Sequence, residues 1–362
     1  MSVMNLLTPE LQDDSYEDDR DSSLGEDDSS STASLSSSIL EYRTIHGRRY
    51  HSKSWGDTDY WSPNDEIQAN SMDLTHHTLT LLLHDKIFLA PIGDDPRKAL
   101  EIGCGTGIWA IDFADAFPRC EVIGTDISPT QPSWVPGNLR FEMDDFNLTP
   151  WTFPPASFDF VHMRYLCGAV LNWDAAYAEA FRAVRPGTGW VEALEPALRI
   201  RSDDGSVRED DGSALSAWGP LFEEGARRYG NGSRVPGSAN SGPSRPMNIV
   251  EDGTMESAFR RAGFVDIVTH TFKCPLTPNS DDPHLREVGM YALATMEEGM
   301  EDTDEELLTI GFLLYLFTQG LGWTHEQVIL YLSRVRKELR DRRKSPYSLV
   351  KVIYGRRPEG AN

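Results

Sequence analysis

Five residues of this chain combine types and spacing that could do chemistry: Glu101, Gly103, Gly105, Gly107 and Asp126. The first four lie in LEIGCGTGIWAIDFA, residues 100–114, between an apolar run and a segment that reads as a helix. Alternate glycines directly after a strand let the backbone turn sharply and let a ligand approach with no Cβ in the way. Three ligands suit such a loop. A triphosphate loop ends in Gly-Lys-Ser/Thr, but Gly107 is followed by Ile108 and Trp109, so that chemistry is set aside. A dinucleotide loop is matched in form by Gly105-Thr-Gly107-Ile-Trp-Ala110. With the strand ending at Ile102, however, the turn begins at Gly103, and a frame from Gly103 needs Gly or Ala where Ile108 stands. The third ligand is S-adenosylmethionine (SAM). Glu101 favours it, because a carboxylate at the strand end repels a pyrophosphate on the following helix N-terminus and attracts the ammonium of a methionine moiety.

Asp126 closes the next strand, 19 residues after Gly107, where an acid can accept hydrogen bonds from both ribose hydroxyls. That feature points to a nucleoside without choosing between cofactors, and a turn residue before Ile-Ser-Pro is its plain alternative. Asp144 and Asp145 follow the third strand, where a carboxylate can accept from an adenine amino group or simply form a solvated turn. Thr106 in the loop, Ile127 after Asp126, Phe146 and Met163 complete the expected cofactor-binding set, with Cys104 contributing its backbone amide only. Trp109 and Trp151 are further candidates for an adenine wall, although aromatic residues beside a sheet are more often core. His162 and Glu195, read as the ends of the fourth and fifth strands, are the two candidates for a general base; a lone His is more often structural. The pair His76-His77 lacks partners at ligand spacing, so no metal is expected.

These residues need a sheet to bring them together. Strand-like runs at 98–102, 121–126, 139–143, 157–163 and 189–195 alternate with helical patterns, notably 108–117 and 174–185, the latter with Tyr177, Phe181 and Val184 on one face. The alternation implies an α/β doubly wound, mostly parallel sheet with helices on both faces, its ligand at the carboxyl ends of the strands near the switch point. AGFVDIVTHTFKC and LVKVIYGRR read as two closing strands. Upstream, an amphipathic stretch over about 65–90 opens at SPNDE with Asn64 as its N-cap, and further helices are expected at 284–300, 304–319 and 325–342, covering the pocket. The last begins THEQ, a capping box, and spaces Val328, Leu332, Val335 and Leu339 for core packing.

Composition bounds the partners. Of the net charge of −23, residues 1–32 carry −9, from ten acidic residues and one Arg. An acidic body does not advertise nucleic-acid binding, which needs Lys and Arg against phosphate. The four cysteines are far apart and read as reduced thiols. No signal-like leader and no apolar run of about 18 residues is apparent, so a soluble protein outside the membrane is expected. Residues 1–38 are Ser- and Asp-rich and read as a disordered tail; 229–247 reads as a long loop. The expected division is tail 1–38, helical cap 39–97, cofactor-binding core 98–200, helical lid 201–345 with a strand at 264–274, and closing strand 346–362.

Beyond single motifs, the chain from about Ser34 to Pro358 resembles the fungal LaeA-like, or TAM-domain, family of SAM-dependent methyltransferases. The resemblance is carried by SLSSSILEYRTIHGRRYH, YWSPNDEIQANSMDLTHH, LEIGCGTGIWAIDFADAFP, VIGTDISPTQPSWVPGNLRFEMDDF, SFDFVHMRYL and VIYGRRP. It implies a class I methyltransferase fold, Rossmann-like, with a seven-stranded sheet containing one antiparallel strand. It also implies SAM as cofactor, with the loop role on Gly103, Gly105 and Gly107, the ribose role on Asp126 and the adenine-side role on Asp144 or Asp145. Members of the family include enzymes of secondary metabolism and regulators acting in nuclear complexes with velvet-type proteins. The implied function is methyl transfer to a small metabolite or a protein side chain, in the cytoplasm or nucleus, with a regulatory scaffold as the rival. Two departures stand out: Ser71 occupies the position of an Arg usual in the family, and the turn RPGTGW is one residue longer than the usual Pro-Gly-Gly.

Overall fold

A computed structural model describes residues 41–52, 60–230, 245–298 and 311–360. The expected tail over 1–38, most of the 229–247 loop and the start of the 304–319 helix lie outside these residues. A hairpin of β1 (Arg43–Ile45) and β2 (Arg48–Tyr50) leads into helix α1 (Glu66–Leu82). There follow β3 (Lys98–Ile102), α2 (Ile108–Ala116), β4 (Glu121–Asp126), β5 (Leu139–Met143), β6 (Phe160–Arg164), α3 (Trp173–Ala183) and β7 (Trp190–Arg201). The chain then forms α4 (Ala214–Gly230), α5 (Thr254–Ala262), β8 (Val265–Pro275), α6 (Pro283–Glu298), α7 (Gly311–Leu316) running into a π-turn at Phe317–Leu321, α8 (His325–Leu339) and β9 (Tyr347–Arg356).

Seven strands make one sheet in the order β5-β4-β3-β6-β7-β9-β8. Strands β3 to β7 pair in parallel, and β9 alone runs antiparallel to both its neighbours. This is the expected doubly wound class I arrangement. Its central strands are buried on both faces, as a parallel sheet covered by helices requires. The pleat sorts their side chains: Ala99 and Phe160 join α2 and Phe113 on one face, while Leu100, Val161 and Val191 join α3 and α5 on the other. A third apolar cluster, built on α4, α7 and α8 around Phe222, Phe317 and Leu332, packs on β7 and β9.

Local signals explain most boundaries. Thr324 accepts from the Gln327 amide while Gln327 Oε1 accepts from the Thr324 amide, so the capping box of α8 forms as read, and Val328, Leu332, Val335 and Leu339 are buried. The N-cap of α1 is a correction. Asp65, not Asn64, accepts from the Gln68 amide, because Asp65 is also held by the buried Arg48 guanidinium in a two-pronged pair at 2.6 and 2.7 Å. Asn64 instead reaches Arg49 and Ser128. The helix ends at Leu82, earlier than the stretch 65–90 suggests. Val184 falls outside α3 as its C-cap, and β7 extends six residues past Glu195.

Candidate active site

Connections leave β3 and β6 in opposite directions along the sheet, which opens a crevice at their carboxyl ends. A cavity of about 340 Å³ lies there. Its floor is the glycine loop after β3. Its roof is α1, through Ile67, Ser71, Met72 and Thr75, and its far wall is apolar, formed by Leu198, Trp218, Phe222, Met247 and Met296.

The loop is built for close approach. At Gly105 the backbone has φ +57°, and a Cβ there would stand 1.8 Å from Met72 Cε of α1. Gly107, at φ +79°, starts α2 without a side-chain cap, and a Cβ there would meet the Phe141 ring at 2.2 Å. Polar groups from the segment after β4 fix the loop: Thr130 Oγ1 and Gln131 Nε2 donate to the Gly105 carbonyl at 3.1 and 2.6 Å. Thr106 Oγ1 donates to Asp73 of α1. Cys104 lines the cavity, but its amide, expected to face a ligand, donates to the Thr125 carbonyl.

Asp126 lines the cavity, its carboxylate accepting from the Gly105 and Ser128 amides at 2.9 Å each. Burial pushes it up to about 6, against those two amides. Ile127 and Phe146 line the cavity beside it. Of the two acids after β5, Asp145 is buried at the cavity, where it accepts from the Asn147 amide. Asp144 accepts from Thr152 Oγ1 and does not line it. Asn147, unnoticed in the sequence, also lines the cavity and ties its neighbourhood together through Ala169 and Leu171. Glu101 is 2% exposed at the cavity, with burial pushing it up to about 8 against the Arg164 guanidinium and the Ala110 amide. Its Oε2 has no hydrogen-bond partner among the described residues. An orphaned carboxylate oxygen there suits a cationic donor such as an amino-acid ammonium.

The two expected bases do not reach the cavity. His162 is interior to β6, fully buried, and stacked face to face on Trp109 at 3.8 Å; burial holds it well below its usual range. Trp109 is therefore core and not an adenine wall. Glu195 is fully buried and accepts from the amides of Leu166 and Cys167 at 2.8 and 2.9 Å, bracing the turn after β6. Met163 is buried in the sheet, and Trp151 donates to the Phe146 carbonyl from below the cavity wall. Ser71 does face the cavity. The long RPGTGW turn precedes β7 and so lies at the opposite edge of the sheet, against Arg356 and Arg357, where it cannot shape an acceptor pocket.

The sequence reading also missed Arg164 and Tyr165, which line the cavity from the end of β6. Tyr165 sits at φ +56°, a strained conformation for a bulky residue, held by its amide to the Leu194 carbonyl and by the Glu195 brace. Among the described residues no three His, Cys, Asp or Glu side chains converge as a metal site, and no helix is long and apolar enough to cross a membrane.

A methyltransferase domain family model matches residues 74–269. The methyltransferase pytC of Aspergillus terreus is 35% identical over 336 residues, 92% of this chain and 94% of that protein. The secondary metabolism regulator LAE1 of Cochliobolus heterostrophus is 31% identical over 87% of this chain and 94% of its own length. The protein-methionine methyltransferase laeA of Emericella nidulans is 28% identical over 88% of this chain and 77% of its own length.

Proposed function

This chain belongs to the methyltransferase-domain family as one of its LaeA-like, SAM-dependent members, and from that premise we propose that it transfers a methyl group to a small, apolar acceptor. The observation that carries this reading is the far wall of the cavity: Leu198, Trp218, Phe222, Met247 and Met296 form an apolar chamber continuous with the loop and acids that suit SAM.

SAM, when bound, supplies a methyl group on a sulfonium, whose positive charge disperses as the methyl leaves. The protein's own part is alignment. Asp126 holds the ribose hydroxyls, Asp145 the adenine amino group, Phe146 and Ile127 the adenine faces, and Glu101 the ammonium of the methionine moiety. The α1 roof and the apolar wall exclude water. Such a transfer needs geometry and dryness more than a strong base, which accords with the seclusion of His162 and Glu195. Labelled SAM with an extract of secondary metabolites tests the proposal: one labelled small product is expected. Leu198→Arg, which puts a charge in the apolar wall, should lower kcat/KM for that acceptor roughly tenfold or more while leaving cofactor affinity unchanged. Labelled protein with no labelled small molecule would overturn it.

The name of one relative, the secondary metabolism regulator LAE1, supports a second reading, a regulator that acts through protein partners. The basic run at 334–344 is the feature it would use. In the structure Val335 and Leu339 bury one face of α8, and Lys344 pairs with Glu338 at 2.8 Å. Neutralising Arg342 and Arg343 together should leave methyl transfer intact; loss of a co-purified partner without loss of transfer would favour the regulator.

A further inference from the structure

Arg164 is a guanidinium facing a cavity without a matching anion. It lines the crevice at the end of β6, burial works against its charge, and among the described residues no carboxylate lies within ion-pair distance of it. Among the described residues its side chain makes one hydrogen bond, from Nη1 to His76 Nδ1 at 2.9 Å. A guanidinium can only donate, so that His76 nitrogen must accept, and the proton of the ring sits on Nε2, which donates to Asp112 Oδ2 at 2.9 Å. His76 is 5% exposed, so its tautomer and tilt are fixed by these two partners. The chain Asp112–His76–Arg164 thus runs from the surface of α2 through α1 to the cavity.

Beside this cation, on the neighbouring strand and the same face of the sheet, stands Glu101, whose Oε2 has no hydrogen-bond partner among the described residues. Glu101 and Arg164 sense each other electrostatically but do not pair directly. A part-buried cation and a buried carboxyl group that face one space, each with capacity left over, are costly unless a ligand of opposite polarity completes both. The α-carbon of an amino acid carries a carboxylate and an ammonium side by side, which is that ligand. Ser71 lines the same space from the roof and carries no charge.

We propose that Arg164 binds the carboxylate of the cofactor's methionine moiety, beside Glu101, and that His76 is the positioning residue that aims it. The proposal rests on the SAM assignment of the cavity.

The test uses two ligands that share adenosine and thioether and differ in the amino-acid end: S-adenosylhomocysteine and 5′-methylthioadenosine. Calorimetry on the full chain should show Arg164→Gln weakening S-adenosylhomocysteine roughly 10- to 100-fold, the loss of a charge-assisted pair, with 5′-methylthioadenosine changed less than about twofold. His76→Leu should give a smaller loss in the same ligand only. His76→Asn, whose carbonyl can still accept from Arg164, should recover most of it. Equal loss of both ligands in Arg164→Gln, or loss of neither, would overturn the proposal, the first by assigning Arg164 a structural role. If the wild-type chain binds neither ligand, the SAM assignment falls and the proposal with it; if it binds both equally, the assignment stands and the proposal alone fails.

Discussion

At the scale of single residues, the two adjacent acids after β5 show what a sequence can and cannot decide. Both Asp144 and Asp145 stand at the right distance from Asp126, so spacing leaves them equivalent. Thr152, eight residues on, takes Asp144, and the side chain of Asp145 turns into the cavity. Asp145→Ala should therefore weaken S-adenosylhomocysteine by about 1 to 3 kcal/mol, the cost of an unmatched donor at a buried acceptor site, whereas Asp144→Ala should leave it unchanged. Calorimetry that found the larger loss at Asp144 would reverse the assignment. The glycine loop, Glu101 and Asp126 were legible because their chemistry depends on backbone conformation and strand order, which local sequence dictates. His162 was misplaced because β6 runs to Arg164, one residue beyond the strand read from the sequence: His162 shares a face with Arg164 but lies two residues further in, stacked on Trp109. The same extension hid Arg164, whose value depends on His76, 88 positions earlier.

At the scale of elements, types and order were largely legible, while ends and long-range anchors were not. The parallel strands and α8 announce themselves by apolar period and capping residues. The start of α1 does not, since Asn64 and Asp65 are both good N-caps by type. The choice is made by Arg48, which arrives from β2, a hairpin too short to give a periodic signal. Asp65 therefore does two tasks, capping the roof helix and neutralising a guanidinium that is 2% exposed, and its carboxyl is held below the usual range chiefly by Arg48 against the opposing effect of burial. Asp65→Ala should destabilise the protein by about 3 to 5 kcal/mol, because the buried guanidinium loses its two-pronged carboxylate partner in addition to the lost cap. Asp65→Asn, which can keep the cap, should still lose much of that. Denaturant titration of both variants measures the split, and a cost near 1 kcal/mol for Asp65→Ala would show that the pair adds little beyond the cap.

At the scale of the whole molecule, the sheet carries three buried carboxyls across its centre: Glu101 on β3, and Glu192 and Glu195 on β7. Burial pushes them up to about 8, 7 and 8. Each is then neutral in the folded protein over a range where the unfolded chain, titrating near its ordinary value of 4.5, is ionised. The folded state binds more protons there, so their stabilising contribution is complete below about pH 4.5 and is lost as pH rises through about 7 to 8. A protein of net charge −23 should thus be most stable on the acid side of neutrality. Glu192 isolates the effect. It lies outside the cavity, its Oε2 accepts from both the Leu89 and Ala90 amides, and its Oε1 stands 4.0 Å from His162 Nε2 with no hydrogen bond. In Glu192→Gln the amide oxygen can keep both backbone bonds while the amide nitrogen faces the imidazole, so the geometry survives and the titration is removed. Unfolding free energies of wild type should fall between pH 5 and pH 8.5, and Glu192→Gln should lessen that fall by on the order of 2 to 3 kcal/mol. Cofactor affinity at any one pH should not change. A variant whose stability declines as steeply as wild type would mean that Glu192 is already ionised in the native sheet, with its two backbone amides outweighing the cost of burial.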